Sequence, residues 1–167
     1  MRHETGRVAA YVGIGSNIEP RRHIPHAVRL LRERFGDLRV SPVYECPAVG
    51  FEGADFLNLV VGFDTGADIP ALLQALRCIE SHCGRVRGER TASRTMDLDL
   101  LLYGDRVTDG PDARLPRDDI LRYAFVLRPL AEIAPDARHP TDGRSYAELW
   151  AAFGTEGQPL RRVALDL

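Results

Sequence analysis

The sequence contains no lysine, and all 22 of its basic residues are arginine. P-loop nucleotide binding and Schiff-base catalysis both need an ammonium group, so this absence excludes both kinds of site. The acidic residues number 24, and the near-neutral balance gives no overall field that would attract nucleic acid or an anionic membrane. Phosphate binding must therefore depend on local groups, and we expect neither a nucleic-acid partner nor a membrane partner.

Cysteine and long apolar runs are also scarce. The cysteines are odd in number, and Cys46, Cys78 and Cys83 contain no C-x-x-C pair. Neither a disulfide framework nor a thiolate zinc site is indicated, and we interpret the three as small apolar residues. No apolar run approaches the roughly 20 residues of a membrane helix, and no basic segment followed by an apolar signal core opens the sequence. We therefore expect a cytoplasmic protein.

The size and apolar content are those of an ordinary folded domain. With 167 residues, 44% of them hydrophobic, we expect one domain over 1–167, acting as a monomer or a weak homo-oligomer. His23 and His26 lie three residues apart in a predicted helix and could share a metal ion. Since no third ligand is near them in the sequence, a solvated helix face is the favoured interpretation.

Strand patterns and helix patterns alternate along the chain. Apolar runs predict strands over 8–14, 38–44, 56–64 and 96–103, with a loop over 46–55 between the second and third. Helical spacing predicts helices over 20–35, 68–84, 125–134 and 146–153. This order is the split βαβ arrangement of ferredoxin-like proteins. We therefore expect an α/β fold, an α+β sandwich, whose mixed or antiparallel sheet is covered by helices on one face.

Charged residues concentrate between positions 85 and 99. Four arginines in a predicted loop precede two aspartates on a strand: Arg85, Arg87, Arg90, Arg94, Asp97 and Asp99. Strand side chains alternate, so both aspartates face one side, with Cα atoms about 6.5 to 7 Å apart. Mg²⁺ is commonly held by one or two carboxylates together with substrate phosphates, and guanidinium groups bind phosphate oxygens bidentately. The pattern indicates a metal-nucleotide site suited to phosphoryl transfer.

Two other interpretations of these motifs are less favoured. The first is a solvated arginine loop beside an acidic surface strand, but Asp97 and Asp99 interrupt an apolar strand, where a purely structural strand would bury few charges. The second is a dinucleotide-binding turn at Gly13-Ile14-Gly15. The third glycine of that motif is missing, because Ile18 occupies its place.

Three separated segments carry a family resemblance. They are YVGIGSN at 11–17, GRVRGERTASRTMDLDLLLYG at 84–104 and FVLRPLAEIAP at 125–135. In this order they resemble the 6-hydroxymethyl-7,8-dihydropterin pyrophosphokinases of folate biosynthesis, over roughly the whole domain. The resemblance implies transfer of diphosphate from Mg-ATP to the pterin hydroxyl with release of AMP.

The resemblance also implies a role for each matching residue. The implied catalytic residues are Arg85, Arg94, Asp97 and Asp99, and the two aspartates would hold two Mg²⁺ ions. The implied pterin-binding residues are Val49, Gly50, Phe56, Asn58 and Phe125, with the two aromatic rings on either side of the pterin. The implied ATP-binding residues are Glu80, Arg87, Arg94, Leu100, Arg117 and Arg122.

The chain departs from the family pattern in three places. Thr91-Ala92-Ser93 stands where members usually have W-G-P, so an aromatic lid residue is lost. Pro116-Arg117 replaces a P-H pair, which exchanges a histidine donor for a guanidinium. Tyr123 occupies the place of an arginine, and Arg122 lies one position earlier.

Two alternative functions stay open at this point. A related diphosphotransferase could act on a different pterin alcohol, and its altered residues would lie in the loop over 46–55. A non-catalytic module could bind pterin or RNA through the arginines between 85 and 94. The RNA alternative is the weaker one, because Asp97 and Asp99 would repel phosphates unless metal is bound.

Overall fold

The computed structural model describes residues 6–49, 52–84 and 96–167. Its strands are β1 (Val8–Ser16), β2 (Arg39–Val40), β3 (Val43–Cys46), β4 (Phe56–Thr65), β5 (Asp97–Tyr103), β6 (Thr108–Asp109), β7 (Arg114–Leu115) and β8 (Arg161–Val163). Its helices are α1 (Pro20–Phe35), α2 (Ile69–His82), α3 (Asp119–Arg122), α4 (Ala124–Ile133) and α5 (Tyr146–Ala152).

The main sheet has the split βαβ topology that the sequence predicts. Its strands follow the order β5-β1-β4-β3-β8, with β2 also paired to β4, and every pairing is antiparallel. The strand β4 separates β1 from β3, which run parallel to each other because each is antiparallel to β4. The predicted α+β class is confirmed, and the sheet is antiparallel.

Helices cover both faces of this sheet, so the expectation of helices on one face is wrong. On one face, Val12 and Leu59 pack in a cluster with α1 and α2. On the other face, Val60 and Leu101 pack with α4 and α5. The reason lies in β4, where seven consecutive residues from Leu57 onward are buried. A strand buried on both sides needs a helical layer on each side.

The sequence places the long elements within one or two residues. The helix predicted over 20–35 is α1, and the strand predicted over 56–64 is β4. The strand predicted over 38–44 is instead broken into β2 and β3 at Ser41-Pro42. Proline has no amide hydrogen to donate to a strand ladder. The hydroxyl of Ser41 accepts the hydrogen bond of the Val60 amide at 2.9 Å, which ties this interruption to β4.

Several short elements are not predicted from the sequence. The β6–β7 hairpin, α3 and β8 contain at most four residues per element, too few to show a period. The expectation that His23 is solvated is also wrong. It is 9% exposed, and its Nδ1 lies 2.8 Å from the carbonyl oxygen of Ile18. Cys46 and Cys83 are buried as expected, whereas Cys78 is exposed.

Across the described ranges, every helix is too short or too polar to span a bilayer.

The start of α2 provides a test of local stability. The Asp68 carboxylate accepts a hydrogen bond from the Ala71 amide at 2.9 Å, as an N-cap residue does. We expect Asp68→Ala to lower the free energy of unfolding by about 1 kcal/mol, measured by urea denaturation. Asp68→Asn keeps a side-chain acceptor and is expected to stay within a few tenths of a kcal/mol of the original. Equal losses in the two variants would contradict a capping role.

Candidate active site

A cleft opens on the sheet face covered by α4, and two glycines of the inner strand β1 form its floor. In the strand register, Gly15 lies between Asp97 of β5 and Asn58 of β4. Gly13 lies in the same way between Asp99 and Val60. Neighbouring strands are about 4.8 Å apart, so the aspartate and asparagine backbones stand about 10 Å apart across the glycine. The cleft therefore has an acidic side and an amide side.

The missing side chains of β1 create the space between these two sides. A Cβ atom added at Gly15 would lie 2.9 Å from the Asn58 Oδ1 atom, closer than real Cβ contacts allow. The resulting cavity has a volume of about 190 Å³. Its walls also include Cys46, Val49, Phe56, Asp119 and Phe125, which come from three other parts of the chain.

The acidic side brings three carboxylates together. Asp97, Asp99 and Asp119 all line the cavity, and Asp119 reaches it from α3. Burial, followed by the nearby charge of Asp97, raises the pKa of Asp99 from 3.8 to about 7. Arg117 opposes this shift, since its Nη2 lies 3.6 Å from Asp99 Oδ1 and its Nε donates to Asp119 Oδ2 at 3.3 Å. Among the described residues, Arg117 thus offsets part of the negative charge of Asp99 and Asp119.

These carboxylates suit a hard cation that completes its coordination elsewhere. Among the described residues, no group of three or more His, Cys, Asp or Glu side chains is arranged to hold a metal ion. The Asp99 side chain is 31% exposed, which leaves its oxygens accessible from the cleft. Mg²⁺ commonly uses one or two protein carboxylates, water and substrate phosphates. The chemistry of Asp97 and Asp99 fits that pattern.

Glu80 stabilises β5, the strand that carries Asp97 and Asp99, by accepting a hydrogen bond from its backbone. Its Oε2 accepts a hydrogen bond from the Leu98 amide at 2.8 Å, between the two aspartates. Among the described strands, β5 pairs in the main sheet with β1 alone, so its outer edge needs partners from elsewhere. Glu80 is a half-buried residue near the end of α2 and fixes β5 at the point where both aspartates project.

On the amide side, Cys46 fixes the orientation of Asn58. The Asn58 Nδ2 donates to the Cys46 sulfur at 3.1 Å, which leaves Oδ1 toward Gly15. Burial, followed by the charge of Asp55, raises the pKa of the Cys46 thiol to about 11. The sulfur is therefore a neutral acceptor at physiological pH, not a thiolate nucleophile.

Two aromatic rings and one exposed aliphatic residue border the amide side. Phe56 begins β4 and Phe125 lies in the first turn of α4, and both line the cavity. The ring of Tyr123 stacks on that of Phe125 with centroids 5.0 Å apart. Val49 is 55% exposed and lines the same cavity. A flat heterocycle is the shape of ligand that such a border accommodates.

The residues predicted to bind ATP do not all lie in the cleft. Arg117 lies beside the carboxylates, and its own amide donates to the Leu101 carbonyl of β5 at 3.0 Å. The guanidinium of Arg122 instead stacks over the Tyr123 ring, 5.4 Å from its centroid. Leu100 is 4% exposed and packs in the core on the opposite face from the cleft. Its side chain is therefore remote from any cleft ligand, which leaves its backbone for the predicted role.

Four predicted site residues lie outside the described residues: Gly50, Arg85, Arg87 and Arg94. The altered lid segment Thr91-Ala92-Ser93 lies there as well.

The sequence did not predict two polar residues of the cleft, Asp119 and Cys46. Asp119 belongs to a stretch that shows no clear periodicity, although the acidic pair after Pro116-Arg117 is a local signal that could have drawn attention to it. Cys46 was interpreted only as a small apolar residue, and its contact with Asn58 joins two different strands. Neither contact follows from spacing along the chain.

Comparison with known proteins gives the same family along most of the chain. The family model 7,8-dihydro-6-hydroxymethylpterin-pyrophosphokinase matches residues 11–135. A 2-amino-4-hydroxy-6-hydroxymethyldihydropteridine pyrophosphokinase of Pseudomonas aeruginosa is 43% identical over 152 residues, covering 88% of this chain and 93% of that relative. A protein of the same name from Synechocystis is 38% identical over 143 residues, covering 84% and 73%.

Solved structures show a similar fold. An HPPK-DHPS crystallised in complex with substrates matches with a TM-score of 0.67 and 13% identity, covering 88% of this chain and 43% of that one. Wild-type Plasmodium falciparum HPPK-DHPS also matches with a TM-score of 0.67 and 13% identity, covering 87% and 44%. The chain thus spans less than half the length of these solved chains, and the likeness concerns the fold alone.

Because Asp99 is buried close to Asp97, we predict that the free energy of unfolding depends on pH. Above about pH 4 the unfolded chain ionises Asp99, while the folded protein holds the proton until about pH 7, so Asp99 lowers stability as pH rises through this window. In chelator-treated buffer at pH 8, we expect Asp99→Asn to raise the free energy of unfolding by about 1 to 3 kcal/mol. The gain should shrink toward pH 4.

Urea denaturation between pH 4 and pH 8 measures this effect. Asp136→Asn is the matched control, since Asp136 is exposed and lies away from the cleft. A destabilised Asp99→Asn protein at pH 8 would contradict the predicted repulsion.

Proposed function

The chain belongs to the 7,8-dihydro-6-hydroxymethylpterin-pyrophosphokinase family, and from this premise we propose how the residues of its cleft divide the reaction between them. The protein is a pyrophosphokinase that acts on hydroxymethyldihydropterin in folate biosynthesis, with ATP as its co-substrate. In this transfer the pterin hydroxyl oxygen forms a bond to the β-phosphorus of ATP. The bond between that phosphorus and the oxygen bridging to the α-phosphate breaks, AMP leaves, and the hydroxyl gives up its proton.

One observation supports the assignment of residues above all others. The amide of Asn58 and the carboxylate of Asp97 occupy opposite sides of the same glycine, Gly15, in the strand register. A pterin held at the amide side would extend its hydroxymethyl group over the glycine floor toward the carboxylates. The nucleophile and the phosphates then meet within one cleft, and such positioning is a large part of phosphoryl-transfer catalysis.

On the amide side we assign pterin recognition to one polar side chain and to apolar side chains around it. Asn58 would hydrogen-bond the ring edge, and its fixed orientation presents the same atoms to every substrate molecule. Phe56 and Phe125 would stack on the two faces of the ring, and Val49 would cover its outer edge. Gly50 is assigned to the same pocket through the family resemblance alone.

On the acidic side we assign Asp97 and Asp99 as the residues that hold Mg²⁺, with two ions in the complete complex. When bound, Mg²⁺ would offset phosphate charge and favour ionisation of the pterin hydroxyl. The support is the accessible carboxylate of Asp99 beside Asp97, because a cation would neutralise the like charge that helps to raise the pKa of Asp99. Glu80 would then contribute indirectly, because it fixes the backbone between the two aspartates.

Arginine side chains would neutralise part of the negative charge on the ATP triphosphate. Arg117 lies where it can bind a phosphate oxygen close to Asp99, and its charge replaces the histidine usual in the family. Arg122 would reach the nucleotide from its position over Tyr123. The catalytic and ATP-binding assignments of Arg85, Arg87 and Arg94, and the ATP-binding assignment of Leu100, rest on the resemblance.

Removing one carboxylate charge tests the metal assignment. We expect Asp97→Asn to lower kcat by more than about a hundredfold, because several kcal/mol of charge stabilisation would be lost. The assay follows AMP release from purified protein with Mg-ATP and 6-hydroxymethyl-7,8-dihydropterin. Asp105→Asn removes the same charge at an exposed site and should leave kcat unchanged.

If Asp97→Asn keeps most of its activity, the metal assignment is wrong. If the unaltered protein binds the pterin but releases no AMP with it, the substrate differs from the one proposed.

Filling the glycine floor tests the pterin assignment. A methyl group at Gly15 would lie 2.9 Å from Asn58 Oδ1 and must displace the amide. We expect Gly15→Ala to weaken pterin binding by about tenfold, the equivalent of one well-placed hydrogen bond. Pterin fluorescence titration measures this affinity. Gly66→Ala is the control, because its methyl group would enter open space. Unchanged affinity in Gly15→Ala would argue against Asn58 as a pterin ligand.

A further inference from the structure

The junction between α3 and α4 carries two of the proposed ligand-binding residues. The helix α3 ends at Arg122 and α4 begins at Ala124, so Tyr123 alone separates them. Helix ends leave carbonyl and amide groups without partners inside the helix. Neither the side chain of Tyr123 nor that of Asp118 caps the helix that follows it. The position of Phe125, one residue into α4, depends on how this junction is held.

A single side chain from the C-terminal part of the chain holds both ends of this junction. The Gln158 Oε1 accepts a hydrogen bond from the Ala124 amide at 2.8 Å, and its Nε2 donates to the Arg122 carbonyl at 3.1 Å. These two partners, one donor and one acceptor, fix which amide atom faces which group. The side chain therefore completes the last turn of α3 and the first turn of α4 together.

The segment 155–160, which we call the strap, forms a turn and leads directly into a paired strand. The Gln158 amide donates to the Thr155 carbonyl at 3.1 Å and closes a turn. Gly157 has a φ of +77° in this turn, a conformation that glycine adopts readily. Directly after the strap, β8 pairs with β3, whose last residue, Cys46, lines the cleft. The end of the strap that follows Gln158 is thus tied to a strand that borders the cleft.

The Phe125 ring packs against the Tyr123 ring of the junction and also borders two cavities. A second cavity of about 230 Å³ lies between the strap and the cleft and is lined by Phe125, Val49 and Gln158. Phe125 also lines the main cavity, so its ring borders both cavities. Because its stacking partner Tyr123 is the residue between α3 and α4, the backbone of this junction sets the positions of both rings.

We propose that Gln158 is a positioning residue for pterin binding, which acts by holding the α3–α4 junction and with it the ring of Phe125. This inference rests on the proposed stacking of Phe125 on the pterin. Without the Gln158 amide, the junction would relax, and the ring would spend less time in the geometry that stacks on a bound heterocycle. The pterin dissociation constant would rise, while chemistry in the fully bound complex would change less.

A double-mutant cycle tests the coupling between the two residues. Gln158→Leu keeps the size of the side chain and removes both hydrogen bonds, and Phe125→Ala removes the ring. Binding of 6-hydroxymethyl-7,8-dihydropterin is measured by fluorescence titration with α,β-methylene ATP and Mg²⁺ present, which prevents turnover. We expect Gln158→Leu to weaken pterin binding by about tenfold in the original protein and to have little effect when Phe125 is already alanine.

Two further variants complete the test. Gln158→Glu keeps the acceptor for Ala124 and loses the donor to Arg122, so an intermediate loss is expected, and it serves if Gln158→Leu fails to fold. Gln74→Leu removes the amide of an exposed residue on α2 and should leave pterin binding unchanged. In steady-state assays, Gln158→Leu should raise KM for the pterin more than it lowers kcat.

The outcomes separate this inference from the proposed function. If Phe125→Ala weakens binding and the Gln158 variants do not, the positioning role is wrong and the stacking assignment stands. If Gln158→Leu weakens binding equally with and without the Phe125 ring, its effect is general and the inference is overturned. If Phe125→Ala itself leaves binding unchanged, the stacking assignment fails and the positioning role falls with it.

Discussion

The cleft depends on glycine at two alternate positions of strand β1, where no side chain covers the floor. Gly13 and Gly15 face the cleft, whereas Val12 and Ile14 point to the opposite face and enter the core. One strand therefore supplies both a buried apolar surface and an open floor, because successive residues face opposite sides of a sheet. The flanking strands then bring carboxylates to one side of the floor and an amide to the other.

The same arrangement predicts that the acidic side of the cleft lowers the stability of the ligand-free protein. Three carboxylates share one side of the cavity, and burial together with Asp97 raises the pKa of Asp99 to about 7. Arg117 offsets part of this cost. In the proposed function a bound cation would offset this repulsion, so the acidic side would lose stability in the free protein and regain it on binding. Elsewhere the chain uses ordinary devices, such as the capping box that begins α5.

Local sequence patterns predicted the long helices and strands and the two aspartates of the candidate site. The periods of the apolar residues located α1, α2 and β4, and alternation placed Asp97 and Asp99 on one face of β5. The break between β2 and β3 and the helices on the second face were not anticipated. A proline interrupts a ladder only where a partner strand needs its amide, and a second helical layer depends on which strand faces remain uncovered.

The sequence alone determined the family resemblance, the split βαβ order and the pairing of the two aspartates, since each consists of local patterns whose order along the chain can be followed without knowing any distant contact. Tertiary structure alone decided which distant groups support them. Cys46 orients Asn58, Glu80 fixes Leu98, and Gln158 spans the junction before Phe125. Periodicity reports the direction of a side chain relative to its own element. It carries no information about which distant residue meets that side chain, because packing of the whole chain sets those contacts.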